Sequence, residues 1–233
     1  MSIETKDLTV VENGGYMTTS INLGDLFSEE MDGLTPTFER IKIPAGGGIS
    51  YEVPSDDPNN PDSVKEFKAV ILYHHPVNSY YKEKFTGGNL PPDCSSMDGK
   101  IGVQSDTGEC KACSSCPYSK FGSGENGGMA CKQKRRVFIL REGEILPVLL
   151  TIPSASLKEF TKYVTRLLQK GKKTNSVVTK FGLKKAQNST GITYSQVVCS
   201  VDRALTPEEQ KCIAAMTEQV KTFAGRVSIE EAE

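Results

Sequence analysis

The 233-residue chain contains no tryptophan, only two histidines and 7% aromatic residues. It has no apolar run near the roughly 20 residues that a membrane-spanning helix needs. Its first residues, MSIETKDLTVVENGG, lack the basic start and continuous apolar core of a secretory signal. The sequence therefore predicts a cytoplasmic protein without a membrane partner, whose cysteines are free thiols or metal ligands rather than disulfides.

The sequence also lacks a recognisable catalytic constellation. His74 and His75 are adjacent on a predicted strand, so their side chains should point to opposite faces. The aspartates of the loop at 54–62 are typical turn formers. The glycine-rich segment that begins at Phe121 has neither the preceding strand nor the following Lys-Ser/Thr helix of a phosphate-binding loop. We therefore expect a protein that is not an enzyme.

The net charge is only −1, but the charges are unevenly distributed. Residues 1–66 contain 13 acidic and 4 basic side chains, whereas residues 132–185 contain 14 basic and 3 acidic ones. A local excess of this size favours a polyanionic partner for the central block, with nucleic acid the first candidate. The last residues, 230–233, are acidic again and could recruit protein partners.

Five of the seven cysteines lie within residues 91–134, a segment rich in glycine and serine and poor in aliphatic side chains. Such a segment cannot bury a core of its own, so a bound metal is the economical way to order it. Cys113 and Cys116 are separated by two residues, which allows both sulfurs to bind one ion. Adding Cys94 and Cys131 gives four thiolates, the ligand set of a closed structural zinc site.

Cys110 leaves the ligand set open. It precedes Cys113 by three positions, so that Cys110, Cys113 and Cys116 also form a C-x2-C-x2-C run followed by proline, as in iron–sulfur proteins. The fourth cysteine and the repeat of a bacterial ferredoxin are missing. We therefore predict structural Zn²⁺ with Cys110 as a spare thiol, and keep an iron–sulfur cluster and a redox or disulfide role as alternatives. Cys199 and Cys212 are expected to be small buried apolar residues.

Hydrophobic spacing predicts a mainly β chain with helices. A short helix is expected at 20–31, and a long first strand at 38–53 with a bend at Gly46–48. The next strand should cover 64–75, after which 76–85 leaves the sheet. A hairpin at 137–152 turns at 142–144, and a helix at 154–171 starts at a Ser154 or Ser156 cap. Two more strands, 175–185 and 191–201, precede a helix that opens at Thr206.

This order resembles a five-stranded Greek-key barrel in which a helix separates strands three and four. The sequence therefore predicts an α+β chain with an OB-fold-like barrel. The predicted domains are an N-terminal arm at 1–36, a barrel core at 37–205 with a zinc-ribbon insertion at 86–134, and a C-terminal helix with a short acidic tail at 206–233.

Aromatic and basic side chains near the ribbon and on the predicted strands are candidates for binding nucleic acid. Aromatic rings can stack on bases, and lysine and arginine side chains can contact phosphates. The predicted set is Tyr80, Tyr81, Lys82, Lys84, Phe85, Tyr118, Phe121, Lys132, Lys134, Arg135, Arg136, Lys180, Lys184, Lys185 and Tyr194.

The runs PPDCSSMDGK, CSSCP, FGSG and ACK-x-x-RR-V-F-I-L-REGE-x-L-P resemble a group of proteins from bacteriophages and mobile elements of Gram-positive bacteria. These proteins are usually described as uncharacterised or as single-stranded DNA-binding. The resemblance spans about 38–196 and is densest around the cysteines. In layout the chain is also similar to the helix-destabilising protein of T-even phages and to the large subunit of eukaryotic replication protein A, which join OB-folds to zinc ribbons. One ligand of that phage protein is a histidine, so the correspondence is architectural.

The resemblance implies a single-stranded DNA-binding accessory of phage or mobile-element DNA replication or recombination, acting in the cytoplasm of a bacterial host cell. RNA is an open alternative to DNA. Two other classes stay open: a zinc-ribbon interaction protein, such as a transcription or host-takeover factor, and an iron–sulfur redox protein.

Overall fold

The computed structural model describes residues 15–16, 22–32, 34, 37–83, 91–188 and 191–224. The predicted nucleic-acid contacts Lys84 and Phe85 and the acidic residues 230–233 lie outside this part of the chain. In chain order the elements are α1 (Leu23–Glu30), β1 (Arg40–Ile41), β2 (Tyr51–Val53), β3 (Asp62–Val64), β4 (Glu66–Tyr80), β5 (Cys94–Ser96), β6 (Ile101–Gln104), β7 (Cys110–Ala112), β8 (Lys132–Leu140), β9 (Val148–Ile152), α2 (Ser154–Gln169), β10 (Val177–Gln187), β11 (Thr193–Ala204) and α3 (Pro207–Ala224).

The sheet is organised around β4. One edge of β4 pairs with β8 over residues 70–79, and β8 continues the sheet through β9 to β1. The other edge pairs with β10 over residues 66–70 and with β5 over residues 78–80. The hairpin of β10 and β11 therefore extends one end of β4, and the small sheet of β5, β6 and β7 extends the other.

Helices cover both faces of this sheet. On one face Phe160, Tyr163 and Leu167 of α2 pack with side chains from seven strands, including Ile71 and Ile139. The opposite face carries a second cluster, in which α1 and α3 pack on β4, β8 and β9. The two cores share the strands because alternate residues point to opposite faces. No helix in the described ranges is long and apolar enough to cross a membrane.

The α+β class is confirmed, whereas the closed OB-type barrel is not. Among the described residues no ladder joins β11 to β1, and β1 pairs with β9 in parallel. The glycine-rich bend after β1 instead packs against the β10–β11 hairpin: Ser195 Oγ donates to the Pro44 carbonyl at 2.7 Å. Gly47 has φ +81°, and a Cβ there would lie 2.4 Å from Thr193 Cγ2. Side-chain packing, not backbone pairing, thus brings the two edges together.

Strand β4 is longer than the sequence predicts, because it continues through Pro76 to Tyr80 rather than leaving the sheet after His75. Proline lacks an N–H group and is tolerated in a strand only where no ladder bond is needed. Pro76 lies between the stretches of β4 that pair with β10 and with β5, where the described residues form no ladder on that edge. The missing donor therefore costs little.

The predicted helices are present, but the predicted cap of α2 is wrong. The N-cap residue is Pro153, without a side-chain hydrogen bond. Ser154 Oγ donates to the Gln133 carbonyl, and Ser156 Oγ accepts from the Val197 amide at 3.0 Å. Both serines therefore fasten the helix to the sheet. In contrast, α3 begins with a reciprocal cap between Thr206 and Glu209, as its sequence predicts.

Candidate nucleic-acid interface and cysteine cluster

An open groove of about 890 Å³ lies between the β1 bend and the cysteine-rich segment. Its walls come from β1 and residues 42–46 on one side, and from the end of β4, the loop at 118–130 and the start of β8 on the other. Pro153 and Ala155 at the start of α2 and Tyr194 and Ser195 of β11 also line it. The groove therefore exists because β4 and β8 extend beyond the part of the sheet that the helices cover.

Positive charge dominates this groove. The basic side chains that line it are Arg40, Lys42, Lys82, Lys132 and Lys134, against the carboxylates of Glu83 and Glu125. Lys42, Lys82 and Lys132 are exposed, whereas Lys134 is half-buried. Lys132 Nζ donates to the Met129 carbonyl at 2.8 Å, which holds it at the mouth. An anionic chain could reach several of these cations at once.

Tyrosine side chains provide the flat surfaces of the groove: Tyr80, Tyr81, Tyr118 and Tyr194. Tyr80 and Tyr118 are stacked, with ring centroids 4.2 Å apart and an interplanar angle of 13°. Tyr118 remains 44% exposed, so its outer face is accessible. Burial, with the hydrogen bond to Tyr118, raises the pKa of Tyr80, so the Tyr80 hydroxyl is neutral at physiological pH.

Two predicted phosphate contacts are corrected by the structure. Arg136 is fully buried within β8, between His75 of β4 and Thr151 of β9, and cannot face a ligand. Arg135 points to the opposite face of the sheet, where its Nε donates to His74 Nδ1 at 2.7 Å and it is half-buried. Both arginines were predicted as phosphate contacts because a count of charges along the sequence does not show which positions of a strand are buried in the core.

The predicted lysines of β10 lie away from the groove lining. Lys180 pairs with Lys68 across the sheet, and its Nζ lies 3.4 Å from Glu66 Oε2. Lys184 is exposed. Lys185 packs beside Gly47 of the bend, so it is the one of these three lysines that lies nearest to the groove. Phe121 is 81% exposed but does not line the groove. These four residues are therefore peripheral to the candidate site.

Sequence reasoning missed Arg40 and Lys42, which lie in the acidic N-terminal third of the chain. Their alternation with Ile41 and Ile43 indicated a strand with one polar face, and that was the available signal. The parallel pairing of β1 with β9 carries this polar face into the groove. A sum of charges along the chain cannot show that β1 pairs with β9, which is distant in the sequence.

The cysteines Cys94, Cys113, Cys116 and Cys131 line a second cavity of about 900 Å³, adjacent to the groove. A Cβ on Gly102 would lie 2.9 Å from Cys94 Sγ and 3.6 Å from Cys113 Sγ, so these two sulfurs flank one point. Cys110 does not line the cavity, and its exposed Sγ is directed to the Gly108 carbonyl at 3.9 Å. The structure thus brings together the four cysteines that the spacing predicted and separates the fifth.

Backbone hydrogen bonds within the ribbon hold these cysteines. The Cys113 amide donates to the Lys100 carbonyl at 2.7 Å, and the Cys131 amide donates to the Tyr118 carbonyl at 2.9 Å. Cys94 lies on β5 opposite Gln104 of β6. Burial, together with the neighbouring thiols of the cluster, raises the pKa of Cys131 to about 11. A divalent cation would reverse that effect by favouring the thiolates.

The thiols line one cavity but do not form a finished coordination cage. In the described part of the chain, no three His, Cys, Asp or Glu side chains stand in a geometry that could hold an ion. Metal binding would therefore require the cysteine side chains to turn toward one another. Gly102 has no Cβ, and one there would lie 2.9 Å from Cys94 Sγ, so the glycine leaves these cysteine side chains room to turn.

The two histidines point to opposite faces of β4, as the sequence predicts. His74 packs edge-on against Phe160 of α2, and burial with the adjacent Arg135 charge lowers its pKa to about 4. His75 lies on the other face, where its Nδ1 donates to the Met97 carbonyl at 2.9 Å. Burial, with the nearby Arg136 charge, lowers the pKa of His75 too. Both side chains are therefore neutral at physiological pH.

Comparison with known proteins found no matching family model, no similar curated protein and no similar solved structure.

Proposed function

We propose that this protein binds single-stranded DNA along the groove between the β1 bend and the cysteine ribbon. Five basic side chains and four tyrosines on the walls of one open groove are the observation that carries the proposal. The resemblance of the cysteine segment implies that the protein serves phage or mobile-element DNA replication or recombination. The open sheet, with the bend packed against the β10–β11 hairpin, takes the place of the barrel that the sequence predicted.

The combination of charge and tyrosine supports a single strand rather than a duplex. In a single strand the unpaired bases can turn toward an aromatic ring while the phosphates contact lysine and arginine. In a duplex the bases are already stacked on one another, so the Tyr118 face would have no partner. Stacking on an aromatic ring and contacts to phosphates do not depend on which base is present, and we therefore expect binding that tolerates any sequence.

We also propose that Cys94, Cys113, Cys116 and Cys131 bind one structural Zn²⁺. Their common cavity and the outward position of Cys110 support this ligand set. Four thiolate ligands leave no open position for catalysis. Metal analysis of the purified protein should give one zinc per chain. Iron with absorbance near 400 nm would favour the iron–sulfur alternative instead.

The test of the groove is fluorescence anisotropy with labelled oligo-dT over a range of salt concentrations. The variant Lys42→Ala/Lys132→Ala removes two exposed groove charges, and Lys170→Ala/Lys211→Ala removes two exposed charges from the helices α2 and α3. Each phosphate contact contributes about 0.7 to the slope of log K against log salt for a single strand. We expect the groove variant to lower the slope by about 1.4 and the control to leave it unchanged.

Equal slopes for the groove variant and the wild type would show that the strand binds elsewhere. Failure of the wild type to bind single-stranded DNA, duplex DNA or RNA at low salt would favour a protein-interaction role for the ribbon. Preference for RNA over oligo-dT in the same panel would change the ligand but keep the groove.

A further inference from the structure

The groove and the cysteine cavity share a wall. Tyr80, Lys82 and Tyr118 line both cavities, and the rings of the two tyrosines are stacked on each other. The stacked pair is therefore part of the wall of both the nucleic-acid site and the cysteine cavity. Any movement of the pair changes both cavities.

Backbone contacts tie this tyrosine pair to three of the four cysteines. Tyr80 on β4 is the register partner of Cys94 on β5. The Tyr118 carbonyl accepts from the Cys131 amide at 2.9 Å, and the next residue, Ser119, donates its amide to the Cys116 carbonyl at 3.2 Å. The position of the Tyr118 ring is therefore set by the same segments that carry the thiols.

Apart from its backbone ladders and hydrogen bonds, the ribbon has little apolar burial to hold it in shape. In its described part, residues 91–131, no Leu, Ile, Val, Met, Phe or Tyr side chain is buried, and Ile101, Val103 and Phe121 are exposed. Hydrophobic burial therefore contributes little to its stability, and a metal bound by the cysteines would supply most of it. The conformation of the shared wall then depends on that metal.

We infer that occupancy of the cysteine cluster by Zn²⁺ sets the affinity of the groove for a single strand, because the metal holds Tyr118 stacked on Tyr80 at the position where it meets a base. This inference rests on the proposed function. The coupling is reciprocal: if Zn²⁺ raises the affinity for the strand by a given factor, the strand raises the affinity for Zn²⁺ by the same factor. The ribbon is thus a metal-dependent wall of the binding site and not only a fold-stabilising insertion.

The test compares full-length wild type with Tyr118→Ala, Cys116→Ser and Cys110→Ser. Anisotropy with oligo-dT is measured for each protein with Zn²⁺ and after chelation, and circular dichroism checks that the sheet remains folded. Loss of one base stack corresponds to a roughly 5- to 100-fold weaker affinity. We expect that loss in chelated wild type and in Cys116→Ser, and no change in zinc-loaded Cys110→Ser. Tyr118→Ala should be weak with Zn²⁺ and lose little more on chelation.

The reciprocal measurement is the zinc affinity in a chelator-buffered titration, with and without oligo-dT. We expect the oligonucleotide to tighten zinc binding in the wild type by the factor found above and to have little effect in Tyr118→Ala. Equal strand affinity of zinc-loaded and chelated wild type would overturn the inference while leaving the groove proposal intact. The same loss on chelation in Tyr118→Ala as in wild type would overturn it too. Absence of any oligonucleotide binding would instead remove the proposed function itself.

Discussion

Two adjacent arginines of β8 have different environments. Arg136 is buried on the face that carries α1 and α3, while Arg135 lies on the α2 face beside His74. Alternation along a strand explains the difference, because successive side chains point to opposite faces. Since neither lines the groove, both act on the stability of the sheet.

Replacing Arg136 with alanine should destabilise the fold without changing the salt dependence of binding. The fully buried side chain leaves a cavity when it is truncated, which costs about 2–4 kcal/mol of unfolding free energy. Lys132 on the same strand is exposed, so Lys132→Ala should change that free energy by no more than about 0.5 kcal/mol. Urea unfolding of the two variants measures both changes in free energy. Equal changes would show that Arg136 is not part of the core.

At the scale of elements, the glycine-rich bend joins the edges of the sheet that backbone pairing leaves apart. Gly46 and Gly47 both have positive φ, at +66° and +81°, but their surroundings differ. A Cβ at Gly46 would meet no atom within 4 Å, whereas one at Gly47 would collide with Thr193 Cγ2. Gly47 is therefore needed for the close contact between the bend and β11, whereas Gly46 is needed only for its left-handed backbone conformation.

Gly46→Ala should cost about 1–2 kcal/mol of unfolding free energy, from the left-handed backbone alone. Gly47→Ala should cost clearly more, because the methyl group adds a steric clash. Thr193→Ser removes the opposing methyl group, so Gly47→Ala/Thr193→Ser should recover part of the loss. Urea or thermal unfolding of the four proteins tests this, and identical values for the two alanine variants would mean that the bend does not contact β11.

On the scale of the whole molecule, the two histidines are the only ones in the chain, and the pKa of each is lowered, that of His74 to about 4. The unfolded chain, with ordinary histidine pKa values near 6.5, binds protons in this range that the native state does not. The stability that the neutral histidines contribute is therefore complete above about pH 6.5 and is lost as the pH falls toward 4.

Urea unfolding should give a lower free energy at pH 5 than at pH 7, by on the order of 1 kcal/mol. His74→Gln keeps a hydrogen-bond acceptor for Arg135 but has no proton to bind, so its pH dependence over the same range should be flatter. A wild type with equal stability at both pH values would contradict neutral, buried histidines. An unchanged slope in His74→Gln would assign the pH dependence to other groups.

The four cysteines that the sequence groups together share one cavity, whereas the groove was predicted only in part. The x2 knuckle of Cys113 and Cys116 is a local pattern, but Cys110 has the same spacing from Cys113, so spacing left it open as a ligand and only the structure places it outside the cavity. The groove depends on long-range pairing: Arg40 and Lys42 enter it through the parallel ladder of β1 with β9, and Arg136 is removed from it by the core. The helices and hairpins followed from local periodicity, whereas the missing barrel ladder did not.

The position of the ribbon between β4 and β8 also bears on the order of folding. Strands β4 and β8 form the longest ladder that β4 makes, yet residues 80–131 must be looped out before Ser79 meets Lys132, the outermost pair of this ladder. A ribbon held by its cysteines would act as the turn of an oversized hairpin, from which the ladder extends toward Val70 and Leu140. If the cysteines bind zinc as proposed, we expect the metal to accelerate refolding as well as to stabilise the folded state.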